Sequence, residues 1–142
     1  MKKAIFPGVD LYYMTSVIRP KNLPDTVSRG YSQARIDNGH ISISGMVGRI
    51  GEFKPVGKDM TSQARQAFSN VETILAEMDK NLNDISKVTS YLIEPRKHLQ
   101  EYNAVWKEIF TKEPYPCHTL VGVHQLVQEA YLVEIDVEVT SD

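Results

Sequence analysis

The chain has a single cysteine, Cys117, among 142 residues. A lone cysteine cannot staple its own chain, which excludes a disulfide framework and makes a reducing, cytoplasmic setting the expectation. No stretch approaches the roughly 20 apolar residues of a membrane-spanning helix, so no membrane partner is expected. The apolar residues after Met1-Lys2-Lys3 are broken by Pro7, Gly8 and Asp10, too early for the core of a signal peptide. An excess of positive charge is missing as well. Sixteen Lys and Arg stand against 18 Asp and Glu, a net charge of -2. That argues against a sequence-independent nucleic-acid binder, which needs a basic stripe. The histidines His40, His98, His118 and His124 lack a metal spacing such as HExxH. There is no phosphate loop and no GxSxG. Neither a metal nor a cofactor is expected.

What is present is an ordinary globular balance, 42% hydrophobic and 24% charged, long enough for one domain with a core. Pro7, Pro20 and Pro24 punctuate the start. Residues 1–27 read as an extended, mostly irregular arm packed on the domain or on a neighbour, or equally as a partly ordered tail. Residues 28–142 read as the domain. Ser32 to Ile36 suits a short strand, and Asp37-Asn38-Gly39 supplies the left-handed conformations of a tight hairpin. Ile41 and Ile43 alternate with Ser42 and Ser44 in a strand that ends at Gly45. Gly48, Gly51, Pro55 and Gly57 mark a loop. Ala64, Ala67, Phe68, Val71, Ile74, Leu75 and Met78 form one apolar stripe, predicting a helix over about Met60 to Lys80, capped by Asp59 or Thr61. A strand over Ile85 to Ile93 and a helix over about Lys97 to Phe110 follow. Strands at Thr119 to Val123 and Tyr131 to Val139 complete the order. This is an α+β chain, one mixed sheet with both helices on one face. The other face must meet water or another subunit, which predicts a small closed oligomer.

No motif carries chemistry alone, so each polar candidate has two readings. Tyr31 is a half-buried packing residue or lines a pocket. Ser44 before Gly45 is explained by turn chemistry or by a ligand. Asn103 is an exposed helix residue or has a task that offsets its indifferent helix propensity. Glu134 is a solvated strand residue, or a general acid or base if an interface desolvates it. Cys117 is a small buried hydrophobe before it is a nucleophile. His118 is a structural histidine or the side chain best placed to move a proton near neutral pH.

Four stretches, in this order and spacing, resemble the Rid family, the YjgF-like reactive intermediate deaminases. They are Gly-Tyr-Ser-Gln-Ala at 30–34 with Ile-Ser-Ile-Ser-Gly at 41–45, Gln-Ala-Arg-Gln-Ala-Phe-Ser-Asn-Val at 63–71, Tyr-Asn-Ala-Val-Trp-Lys-Glu-Ile-Phe at 102–110, and Val-Glu-Ile-Asp-Val at 133–137. The resemblance implies a chorismate-mutase-like fold and a homotrimer with a ligand cleft between each pair of subunits. It implies a small-molecule ligand, an imine, enamine or keto acid. Deaminating members hydrolyse 2-aminoacrylate and related enamines or imines to a 2-keto acid and ammonia.

Carried over by position, Glu134 would hold or activate the attacking water, and Tyr31 and Asn103 would shape and orient the ligand. The backbone at Ser44 and Leu120 would hold its polar atoms. His118 stands where deaminating members carry the arginine that grips the substrate carboxylate. Arginine offers a planar fork and a permanent charge, histidine at best one donor to each side. The expectation is therefore a deaminase-type hydrolase whose substrate is not 2-aminoacrylate. The alternative is a non-catalytic trimer that binds a small molecule or a partner.

Overall fold

A computed structural model describes residues 15–140. The strands are β1 (Thr15–Ile18), β2 (Ala34–Asp37), β3 (His40–Val47), β4 (Arg49–Ile50), β5 (Lys54–Pro55), β6 (Ile85–Ile93), β7 (Cys117–Val123) and β8 (Val133–Thr140). The helices are α1 (Met60–Ala76) and α2 (Pro95–Ile109). Six strands form one sheet in the order β1-β2-β3-β8-β6-β7. Among the described strands only β6 and β7 run parallel, joined across α2 as a parallel pair requires. The α+β architecture, with a mixed sheet and two helices, is the expected one.

The core lies between sheet and helices. Val133, Ile135, Val137 and Val139 of β8 pack there with Ile41 and Ile43 of β3, Val88 and Leu92 of β6, and the apolar stripe of α1. Asp59 caps α1 by accepting from the Ser62 N–H at 2.9 Å. The helix stops at Ala76, short of Lys80, because Asp79 turns left-handed and the Lys80 N–H returns to the Leu75 carbonyl. Met78 still reaches the core from that turn, which is why the apolar stripe overran the helix. α2 starts at Pro95, where a fixed φ and a missing N–H suit the first helical position.

The hairpin turn has Asn38 and Gly39 at positive φ, as expected. Three further differences from the expectation matter. Thr15–Ile18 lies within the expected arm, yet it pairs antiparallel with β2 as an edge strand; residues 1–14 of that arm lie outside the described residues. Arg49–Ile50 and Lys54–Pro55 make a small ribbon inside the expected loop. The third is β3, which does not end at Gly45. Ile43 pairs with Val137 and Met46 with Ile135, so Ser44 and Gly45 together oppose Asp136. This β-bulge adds one residue to β3 and puts Met46 into the core out of phase with Ile41 and Ile43.

Candidate functional site

The alternation of β8 sends Glu134 to the sheet face away from the helices, beside Tyr91 of β6 and Val47 of β3. The bulge then determines its surroundings. A Cβ on Gly45 would lie 2.1 Å from Glu134 Oε1, so the carboxylate occupies space that only glycine leaves open. Burial raises the Glu134 pKa, and neighbouring Asp136 raises it further. Asp136 is itself raised, by burial and then by Glu138. No ion pair compensates Glu134 among the described residues. A half-buried carboxyl whose pKa is raised by its surroundings is a candidate proton acceptor.

Glu134 borders a cavity of about 220 Å³ whose walls include Tyr31, Gln33, Arg49, Phe53 and Tyr131. Buried hydrogen bonds hold these walls. Tyr131 Oη donates to the Phe53 carbonyl at 2.9 Å, tying the ribbon to the approach to β8. Gln63 of α1 is fully buried. Its Nε2 donates to the carbonyls of Gly57 and Ala130, and its Oε1 accepts from the Leu132 N–H, two residues before Glu134. Gly48 lets β3 approach this turn of α1, since a Cβ there would lie 2.3 Å from the Gln63 carbonyl oxygen. Asn70 donates to the carbonyls of Val47 and Arg49 and fixes the strand ends.

The expected site residues separate into two groups. Tyr31 shares the cavity with Glu134. Ser44 sits in the bulge, and its hydroxyl and N–H donate to the carbonyls of Ser32 and Gln33, fastening the Tyr31 segment to β3. His118, Leu120 and Asn103 lie elsewhere. His118 and Leu120 pair with Val88 and Ser90, which face the helices. The His118 ring stacks on Trp106 at 3.9 Å and meets Ser90 Oγ through Nε2 at 2.9 Å. The Ser90 hydroxyl also bonds the buried Tyr102 hydroxyl. Burial by this stack lowers the His118 pKa, with Lys87 adding repulsion, although one side of the residue stays open to solvent. Leu120 packs half-buried against the core.

Asn103 is exposed on the outer face of α2, one turn before Trp106, in a shallow depression with Arg96, Leu99 and Lys107. Within one chain, Glu134 and His118 therefore occupy opposite faces of the sheet and do not form one catalytic pair. Cys117 is exposed on the edge strand, so its reading as a buried hydrophobe is corrected. Sequence reasoning missed Arg49 and Arg29 of the cavity wall. Arg49 lay in a segment that its glycines marked as loop, and nothing local linked it to Glu134. No cluster of three or more His, Cys, Asp or Glu able to hold a metal occurs among the described residues. No described helix is long and apolar enough to cross a membrane.

Comparison with known proteins extends this picture. The family model Endoribonuclease L-PSP matches residues 22–141. Protein MMF1, mitochondrial, of Saccharomyces cerevisiae is 34% identical over 104 residues, 73% of this chain and 70% of the relative. The RutC family protein YjgH of Escherichia coli K12 is 36% identical over 93 residues, 66% of this chain and 70% of the relative. A 2-iminobutanoate/2-iminopropanoate deaminase of Dermatophagoides farinae is 30% identical over 107 residues, 75% of this chain and 81% of the relative. The crystal structure of yeast Mmf1 superposes with a TM-score of 0.82 at 29% identity, covering 91% of this chain and 100% of that one. The match along nearly the whole described fold places this chain in the Endoribonuclease L-PSP family, the YjgF/RutC/Rid group.

Proposed function

We propose that the protein is a hydrolase of small enamines and imines, with Glu134 as its general base. The desolvated Glu134 carboxyl, lodged over Gly45 at the mouth of a small cavity, carries this reading. The name of the mite relative, an iminobutanoate and iminopropanoate deaminase, supports the reaction class. Glu134 takes a proton from water as the water oxygen bonds the carbon of the protonated imine, giving a neutral carbinolamine. Glu134 returns that proton to nitrogen, the C–N bond breaks as the hydroxyl oxygen forms the carbonyl and gives its proton back to Glu134, and ammonia leaves with a 2-oxo acid as the other product. Tyr31 lines the approach to this carbon. Because His118 cannot reproduce an arginine fork, the preferred substrate is an imine other than 2-aminoacrylate.

The two groups of site residues support a trimer. Tyr31 and Glu134 lie on the open face, while Asn103 and the exposed side of His118 lie at the β7 edge and the outer face of α2. One chain cannot join them, whereas a neighbouring copy can present its β7 edge and α2 to the open face. His118 and Asn103 then orient the ligand across the interface, beside the backbone of Ser44 and Leu120. Sedimentation equilibrium is expected to give three times the chain mass. The single cysteine favours a reducing, cytoplasmic setting, although the yeast relative is mitochondrial by name.

The function is tested by ammonia release from imines generated in place by an amino-acid oxidase, comparing wild type with Glu134→Ala. Acceleration by wild type that the variant loses is the expected result. The substitution of His118 for arginine favours the second reading, a trimer that binds a metabolite or partner without turnover. Ammonia release at the buffer rate across a broad imine panel would sink the first reading, and turnover of a tight hit from a thermal-shift screen of keto acids and amino-acid-like ligands would defeat the second.

A further inference from the structure

The Glu134 cavity has a cationic wall. Arg49 is only 7% exposed, and its Nη1 donates to the Glu52 carbonyl at 3.1 Å. Arg29 borders the same cavity, with its guanidinium 4.0 Å from the centroid of the Phe53 ring. The ion pairs among the described residues join Arg35 to Asp37, Arg65 to Glu108 and Lys97 to Glu94, so neither cavity arginine has an acidic partner there. A buried charge in a folded protein is ordinarily paired or bound to an ion. Arg49 has no acidic side chain paired with it among the described residues, and the nearby charge of Arg29 repels it. A guanidinium has five N–H donors, and Nη1 is the Arg49 group that donates within the described fold.

We propose that Arg49, with Arg29 beside it, is the anion-binding pole of this cavity, and that its ligand is a small 2-oxo or 2-imino acid whose carboxylate meets the two guanidinium groups. An Arg fork accepts a carboxylate through two parallel hydrogen bonds, which also fixes the orientation of the ligand. Glu134 borders the same cavity, so the carbon next to that carboxylate is held in the space that Glu134 lines. The proposal rests on the hydrolase reading for the imine alone, because a non-catalytic binder of oxo acids uses the same pole.

The test is isothermal titration of the full-length protein with 2-oxobutanoate and with its uncharged analogue 2-oxobutanamide, on wild type, Arg49→Met and Arg29→Met. Wild type is expected to bind the acid well and the amide poorly. Arg49→Met is expected to weaken the acid by roughly thirtyfold or more, as loss of one partner of a desolvated charge pair does. The exposed Arg29 is expected to matter less. Equal binding of acid and amide by wild type overturns the proposal, and so does unchanged affinity in both variants. If Arg49→Met does not fold, the comparison of acid with amide on wild type decides. Acid binding without ammonia release defeats the hydrolase and leaves this proposal standing. Ammonia release with unchanged acid affinity in the arginine variants does the reverse.

Discussion

Beneath the helices, every buried polar side chain has a partner: Gln63 bonds three backbone groups, Asn70 two carbonyls, and Ser90 bonds both Tyr102 and His118. On the open face, Glu134 and Asp136 lie side by side, both raised in pKa, and Arg49 of the β4–β5 ribbon is buried at the same cavity as Glu134 with no carboxylate partner among the described residues. One sheet supplies both faces. The first is satisfied and packed, and its polar groups hold strands and loops in register. The second carries charges that cost stability where they stand. Such unpaired, shifted groups cluster at functional sites, where a ligand or transition state supplies what the fold withholds.

The sharpest way to break this comparison is to exchange the properties of the two faces. Glu134→Gln is expected to cut the rate of imine hydrolysis by roughly 10²–10⁴, the range for a lost general base. It is also expected to raise the melting temperature slightly at pH 7. Between the ordinary carboxyl value and its raised folded value, the folded chain binds a proton that the unfolded chain does not. The stability gained from that proton is gone above the folded value, and glutamine removes the remaining cost of the ionised group. Phe68→Ala does the opposite. Phe68 is 1% exposed and meets Trp106 and Phe110 edge-on. Its loss is expected to cost about 3–5 kcal/mol in denaturant titration, with turnover per folded molecule retained.

The two close-approach glycines sharpen the comparison further. Gly45→Ala meets the mobile end of Glu134, so the protein is expected to fold and lose about 10²-fold in rate through a displaced carboxylate. Gly48→Ala meets the backbone of α1, so its expected effect is on stability, about 1–3 kcal/mol. A smaller effect comes from His118→Arg, which is expected to raise activity on 2-aminoacrylate if the β7 edge of one copy faces the cavity of another. An unchanged rate in a folded trimer would remove position 118 from the site.

The smallest effect is the pH dependence of His118. Its folded pKa lies below the ordinary value of about 6.5. Between the two values the unfolded chain binds a proton that the folded chain does not, so stability falls as pH drops through that window. His118→Gln is expected to flatten this slope, which urea titrations at pH 5 and 7 measure.

Periodicity made much of the fold legible. The α1 stripe and the alternation of β8 are local signals, and both elements form there, although α1 stops at Ala76 rather than Lys80 and β8 begins at Val133 rather than Tyr131. The Ser44–Gly45 bulge is not local. It appears only when β3 is laid against β8, and an inserted residue destroys the period-two pattern that marks a strand. The same limit applies to the site. The open-face direction of Glu134 follows from its neighbours Val133 and Ile135. The direction of His118 depends on its parallel pairing with Val88, which no pattern within β7 reports. Arg49 was hidden because Gly48 and Gly51 mark a turn whether or not the residue between them is buried.

The most direct test of the account is the pH dependence of kcat/KM for imine hydrolysis by wild type and Glu134→Gln. The expected profile rises with pH through an apparent pKa above the ordinary carboxyl range of about 4–4.5, and this limb disappears in the variant. A limb that persists in Glu134→Gln, or one that falls within the ordinary carboxyl range in wild type, would contradict a desolvated Glu134 acting as the base on the open face.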